Sequence, residues 1–272
     1  MTEFYDSAQR RHPLWVELGD IFRYRDLIWQ FVISSIKTRY KRSFLGVIWT
    51  LLNPLLMMTV LTIVFSSFFH TVERYPAYIL SGIIVWNYLS STTMASMQNM
   101  VLSGTLLSRI YVPKSVFAVS AAGTGLVNLG LSLIPLFIIS LAIGVKIKLT
   151  VLAMIPGVIL LVLFALGVSL LLQTAAIFFA DMIPVYEVFL TLWFYITPVL
   201  YAPTPDLIPP KWLIFFKLNP MYHILRVVRA PLFEGVIPGW DTWAIAALSA
   251  VIMFIVGSLV FTSKSREYAY RV

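Results

Sequence analysis

Catalysis needs an acid, a base, a nucleophile or a metal-ligand set held together, and few residues of this chain qualify. The three histidines, His12, His70 and His223, fall in an N-terminal arm and in two separate segments beyond apolar runs. Each reads as an amphipathic side chain at an interface. There are no cysteines, which removes thiolate nucleophiles, disulfides and the usual zinc sites. The patterns H-E-x-x-H, G-x-S-x-G and G-x-x-x-x-G-K-[ST] do not occur, so the chain has no P-loop with which to bind and hydrolyse ATP. Asp181 and Glu187 stand together between two apolar runs. Capping a helix end or pairing with a cation is their plain use, and ion coupling the sharper one. Two kinds of recognition chemistry remain. Arg39, Lys41 and Arg42 form a basic cluster suited to anionic lipid headgroups and to anchoring the chain at a membrane face. Trp49, Phe65, Trp86, Phe189, Trp193 and Tyr195 offer aromatic faces on which the C–H faces of sugars can stack. Taken singly, each reads first as helix packing or an interfacial belt.

The elements that must position these residues follow from composition. Of 272 residues, 60% are hydrophobic and 12% charged, against roughly 25% charged in soluble domains. A water-soluble fold could not hide that much apolar surface, so the chain is an all-α integral membrane protein. Asp, Glu, Lys and Arg are absent from 43–69, 75–108, 115–145, 149–180, 188–205 and 242–263. Crossing the hydrocarbon core takes roughly 20 apolar residues. Five runs suffice outright, and the run 188–205 needs Ile183 to Val188 to help it across. Six transmembrane helices are therefore expected, in a single domain over 1–272. Small and hydroxylated residues such as Ser90 to Thr93 and Gly123 to Gly125 mark close helix packing rather than a polar pore.

Lys and Arg set the orientation. Eight precede the first run, and with Arg109, Lys114, Lys264, Arg266 and Arg271 they put thirteen on the side of the termini against seven opposite. Both termini are expected in the cytoplasm, and the formal charge of +8 reads as topology and attraction to anionic lipid rather than to nucleic acid. In the arm 1–42, apolar residues at helical spacing (Ile28, Phe31, Val32, Ser35, Ile36, Tyr40) with Lys37 and Lys41 on the polar side predict amphipathic helices in the cytoplasmic interface. Residues 104–115 form a short cytoplasmic link bracketed by Gly104 and Pro113. The segment 201–240 is too broken to span and too apolar for a solvated loop, which predicts short re-entrant helices on the external side between spans five and six. Residues 264–272 form a cytoplasmic tail. The spans lack buried charges that could couple transport to protons or sodium, so energy must come from a partner.

Residues 37–54, KTRYKRSFLGVIWTLLNP, carry a resemblance. Arg39, Tyr40, Ser43, Leu45, Gly46, Trp49, Leu52 and Pro54 are similar to the start of the first span in the polysaccharide-export permeases of the ABC transporter superfamily, which export O antigen, teichoic acid and capsule. YPAYILSGIIVWNYL resembles that family's second span. LLSRIYVPKSVFAV resembles its coupling helix, with Arg109 and Val112 where Lys and Phe are common. FFADMIPVYEV resembles the junction of spans four and five, with Ala180 where a basic residue is common. WFYITPVLY and LNPMYHILRVVR resemble the fifth span and the external gate helices.

The resemblance implies a non-enzymatic permease in a bacterial cytoplasmic (inner) membrane, pairing with a second copy of itself and with two cytoplasmic ATPase subunits. The chain would bind no cofactor, ATP and Mg being used by the ATPase. The cargo would be a glycan on undecaprenyl diphosphate, its diphosphate met by Arg39, Lys41 and Arg42, with the aromatic residues named above as channel lining. Leu107, Arg109, Tyr111, Pro113 and Lys114 would sit in a groove of the ATPase. A same-fold permease for a small lipid or drug, a membrane glycosyl- or acyltransferase subunit and a non-catalytic scaffold are the alternatives.

Overall fold

The computed structural model describes residues 19, 21–41, 45–46, 48–68, 72, 74–102, 112–203 and 208–264. They are helical, with no strand among them. In chain order the helices are α1 (Arg25–Tyr40), α2 (Ile48–Phe65), α3 (Tyr75–Leu102), α4 (Ser115–Ala142), α5 (Met154–Phe178, led in by a 3-10 turn at Leu149–Ala153), α6 (Met182–Ile196), α7 (Pro210–Leu218), α8 (Pro220–Phe233) and α9 (Trp240–Lys264). Each of the six charge-free runs overlaps one apolar helix. Four helical stretches, Ile48–Phe65, Ser115–Ala142, Leu149–Phe178 and Trp240–Lys264, are long and apolar enough to cross a membrane.

The core is built around α3, which packs against α4, α5, α2, α8 and α6. Its hydroxyl residues explain why a helix of 28 residues is less hydropathic than its neighbours. Ser81, Thr92, Thr93 and Ser96 are buried, and Thr93 shares a 2.8 Å hydrogen bond with the Tyr186 hydroxyl of α6. A Cβ on Gly125 of α4 would collide with the Thr92 hydroxyl, so the small residues expected to mark close packing do so. The tightest crossing lies between α5 and α9, where Gly167 and Gly257 bring two backbones into contact.

Two expectations are corrected. The fifth apolar helix, expected to enter at Ile183 and continue through 205, starts where expected but ends early. It covers Met182–Ile196 and stops at Thr197, whose backbone is extended (φ −88°, ψ 129°). The reason is Pro198, since the residue before a proline is pushed out of the helical region. The apolar face of α1 also has a protein partner. Phe31 packs on Phe117 of α4 with ring centroids 5.7 Å apart, and Val32, buried, fills the space left by Gly123. Lys37, Arg39 and Lys41 remain exposed, as the charge pattern predicted.

The bundle has two distinct ends. Ala118 near the start of α4 clusters with Leu170 of α5 and Phe261 of α9, so α1, the residues leading into α4 and the last turn of α9 share one end. Helix α8 and residues 197–203 meet the first turns of α3 at the other.

Candidate functional site

After Ile196 the chain runs without helix from Thr197 to Pro203, and Val199 and Leu200 are buried. Carbonyls stranded in such a place cost about as much as a lost hydrogen bond each. Here side chains from two helices satisfy four in succession. Arg229 of α8 donates Nη1 to the Pro198 carbonyl and Nη2 to that of Val199, both at 3.0 Å. The Tyr75 hydroxyl donates to Leu200 at 2.9 Å and the Tyr78 hydroxyl to Tyr201 at 2.8 Å. The guanidinium lies over the Tyr78 ring, 3.9 Å from its centroid, which adds cation–π attraction. Arg229 is 5% exposed. Burial pushes its pKa down, opposed by Tyr78 and Glu234, but an arginine starts so high that it stays charged. Gly82, one turn beyond Tyr78, makes the room: a Cβ there would strike Nη2.

Asn219 fastens this corner to α6. It ends α7 and caps α8, its Oδ1 accepting from the Met221 N–H at 3.0 Å, with Pro220 at the first helical position. The same oxygen accepts from the Trp193 indole at 3.0 Å, while Nδ2 donates to the Thr197 hydroxyl at 3.0 Å. Asn219→Ala is expected to cost about 1 kcal/mol for the cap and about 1–3 kcal/mol more for the polar groups it orphans. Asn219→Asp, which keeps the cap and the indole bond, should recover part of the melting midpoint. Equal loss in both variants would argue against the hub.

Trp193 also centres an aromatic network. Its ring lies 5.8 Å from Trp86, 5.4 Å from Phe189 and 6.3 Å from Phe164, and Phe194 joins Trp86 to Tyr195 at 5.5 Å on each side. The structure therefore brings Trp86, Phe189, Trp193 and Tyr195 together. Trp86 is buried and Trp193 half-buried, so they act as packing beneath the surface. Phe189 and Tyr195 are exposed on α6 at 50% and 61%. Trp49 is exposed on α2, and Phe65, at the far end of that helix, packs against the core.

Those of the other expected residues that are described lie at the opposite end. Arg39 and Lys41 are exposed there, and Arg42 lies outside the described residues. So do Leu107, Arg109 and Tyr111. Pro113 is buried and Lys114 half-buried at the start of α4. Asp181 occupies the N-cap position of α6 without a capping hydrogen bond from its side chain. Neither it nor Glu187 forms an ion pair among the described residues, so the capping and pairing uses are not what the structure shows. Sequence reasoning counted Arg229 only as a topological charge and passed over Tyr75, Tyr78 and Asn219. One signal was available: Arg229 is in phase with Leu225 and Leu232 on the buried stripe of α8, whereas Arg226 is not.

Residues 26–233 match the model of the ABC-2 type transporter family. The chain belongs to that family. Among relatives of this ABC-2 transporter chain, the O-antigen export system permease protein RfbA of Myxococcus xanthus is 29% identical, over 92% of this chain and 96% of its own. A protein of the same name from Klebsiella pneumoniae is 27% identical over 93% and 96%. The polysialic acid transport protein KpsM of Escherichia coli is 22% identical over 87% and 92%. The resemblance in the ordered motifs is thus borne out along nearly the whole ABC-2 transporter chain, and the matched span includes α1, the aromatic network and the Arg229 corner.

Proposed function

We propose that the chain is the transmembrane subunit of an ATP-driven exporter that moves a polysaccharide linked to undecaprenyl diphosphate across a bacterial cytoplasmic membrane. The observation that carries the reading is similarity along nearly the whole chain to O-antigen export permeases and to a polysialic acid transport protein, in a chain without a nucleotide-binding motif of its own. On this reading all six apolar helices cross the membrane and both termini are cytoplasmic. Two ATPase subunits engage the segment Leu107 to Lys114. Because α1 is packed on α4, which that segment feeds, force from the ATPase and contact with lipid-linked diphosphate at Arg39, Lys41 and Arg42 arise at one end.

The conduit forms between two copies of the chain. Helices α2 and α6 leave large apolar side chains uncovered, among them Trp49, Leu56, Ile63, Val188, Phe189 and Tyr195, and a second copy gives these faces a partner. Phe189, Tyr195 and Trp49 then border the passage, with Trp86 and Trp193 holding Phe189 and Tyr195 in place from behind. Aromatic faces without a deep binding site let a repetitive polymer slide.

The test is ATP hydrolysis by the permease reconstituted with the ATPase encoded beside it, with and without undecaprenyl-linked glycan. Stimulation is expected in wild type, and Arg39→Ala/Arg42→Ala should need at least about a hundredfold more glycan for it, because two charge-assisted phosphate contacts of about 1.5–3 kcal/mol each are lost. Stimulation that survives intact would reduce the two arginines to anchors. No complex, or indifference to every lipid-linked glycan, would favour the small-substrate permease.

A further inference from the structure

A hollow of about 230 Å³ opens beside the Arg229 corner, between the start of α3, residues 198–203 and α8. Buried Tyr78 and Arg229 form its floor, while Tyr222, Arg226 and Glu234 stand half-buried or exposed toward its mouth. Three features go beyond holding the backbone of residues 198–201. Both Nη atoms of Arg229 are used on carbonyls, yet its buried Nε–H has no hydrogen-bond partner among the described residues. A buried charged donor left this way is costly. Arg226 donates Nη1 to the Tyr222 hydroxyl at 3.3 Å and is exposed at the lining of the hollow. Glu234 makes no ion pair with either arginine among the described residues, so a carboxylate and the exposed Arg226 guanidinium line one small space without contacting each other.

We infer that this hollow is a sugar-binding subsite that takes one pyranose ring. The volume is below the roughly 300–1,000 Å³ of sites for drug-sized ligands, which suits a single ring. A pyranose carries hydroxyls that both donate and accept, so one ring can donate to Glu234 and accept from Arg226 at the mouth of the hollow. Its C–H face has the Tyr222 ring available, since the Tyr78 ring is already covered by the Arg229 guanidinium. A phosphate or diphosphate would satisfy the arginines but leave Glu234 facing a like charge, whereas a polyol can serve a cation and a carboxylate at once. The site sits at the end of the bundle away from Arg39, where the proposed export reading, on which the identity of its ligand rests, has the glycan emerge.

The test is saturation-transfer NMR on the full chain in lipid nanodiscs free of glycoside detergent. The probes are glucose, galactose, mannose, rhamnose and N-acetylglucosamine, with inorganic diphosphate as the competing anion. Arg226→Ala and Glu234→Gln alter exposed residues, and their melting midpoints check that the fold is kept. At least one sugar should receive saturation from wild type, each variant should cut that signal severalfold, and excess diphosphate should leave it unchanged. The subsite is overturned if no sugar responds, if folded variants respond like wild type, or if diphosphate displaces the sugar and binds better to Glu234→Gln. Glycan export by cells carrying the same chains separates the two readings. A chain that exports glycan without a variant-sensitive sugar signal removes the subsite alone. A chain that exports nothing and leaves its ATPase unstimulated removes the export reading, whatever the hollow binds.

Discussion

Arg229→Ala is expected to lower stability and export together. Two buried carbonyls, those of Pro198 and Val199, lose the donors they have among the described residues, at about 1–3 kcal/mol each, and the Tyr78 ring loses the cation over it. The combined loss corresponds to a fall of roughly 10 °C in melting midpoint for a chain of this size. Arg229→Lys should not rescue it, because one ammonium on a flexible stem cannot serve both carbonyls as a planar fork does. Gly82→Val should reproduce much of the defect from the other side, since its side chain would occupy the space of Nη2. Thermal unfolding followed by fluorescence-detected gel filtration would read all three. An unchanged midpoint in Arg229→Ala would mean that residues 197–203 are held by something other than these bonds.

Gly257→Leu should abolish assembly of the bundle outright. A Cβ at this position of α9 would lie against the backbone carbonyl of Gly167, and one at Gly167 would come within 2.5 Å of the Met253 carbonyl. Backbone cannot swing aside as a side chain can, so the helices must separate and the apolar contacts along them are lost. That exceeds the about 1–3 kcal/mol of ordinary overpacking. The readout is the yield of monodisperse protein after membrane extraction. Gly130→Ala is the control, because nothing lies within 4 Å of a Cβ built there, and alanine in a helix interior gains about 0.5–1 kcal/mol over glycine. Normal yield from Gly257→Leu would show that α5 and α9 do not approach at these glycines.

Much of this architecture was legible in the sequence because membrane helices announce themselves by long absences of charge, and each of the six runs overlaps a helix. Trp212 to Phe233 likewise read as helical and holds α7 and α8. What hydropathy could not supply was the end of α6. Residues 188–205 are uniformly uncharged, and only the backbone restriction imposed by Pro198 marks where the helix stops. The Arg229 corner was hidden for a different reason. Tyr75 and Tyr78 reach backbone carbonyls more than 120 residues away in the chain, and pairing between a side chain and a distant carbonyl leaves no periodic trace. The aromatic residues were correctly grouped by type, but their division into supports (Trp86, Trp193) and surface (Phe189, Tyr195) depends on which face of α6 meets α3. That is a property of packing, not of composition.

The brevity of α6 has a consequence for the surrounding lipid. Fifteen residues rise about 22 Å at 1.5 Å each, some 8 Å less than a hydrocarbon core of about 30 Å. The protein covers the shortfall with an irregular strand of chain whose carbonyls are turned inward onto Tyr75, Tyr78 and Arg229. Wherever the outward face of α6 meets acyl chains, hydrophobic mismatch makes those chains shorten or tilt, each ångström at a fraction of a kcal/mol. On the proposed reading, a second protomer laid over that face would relieve the strain in the bilayer as well as cover Phe189 and Tyr195, and the membrane itself would push the two copies together along the wall where the aromatic residues lie.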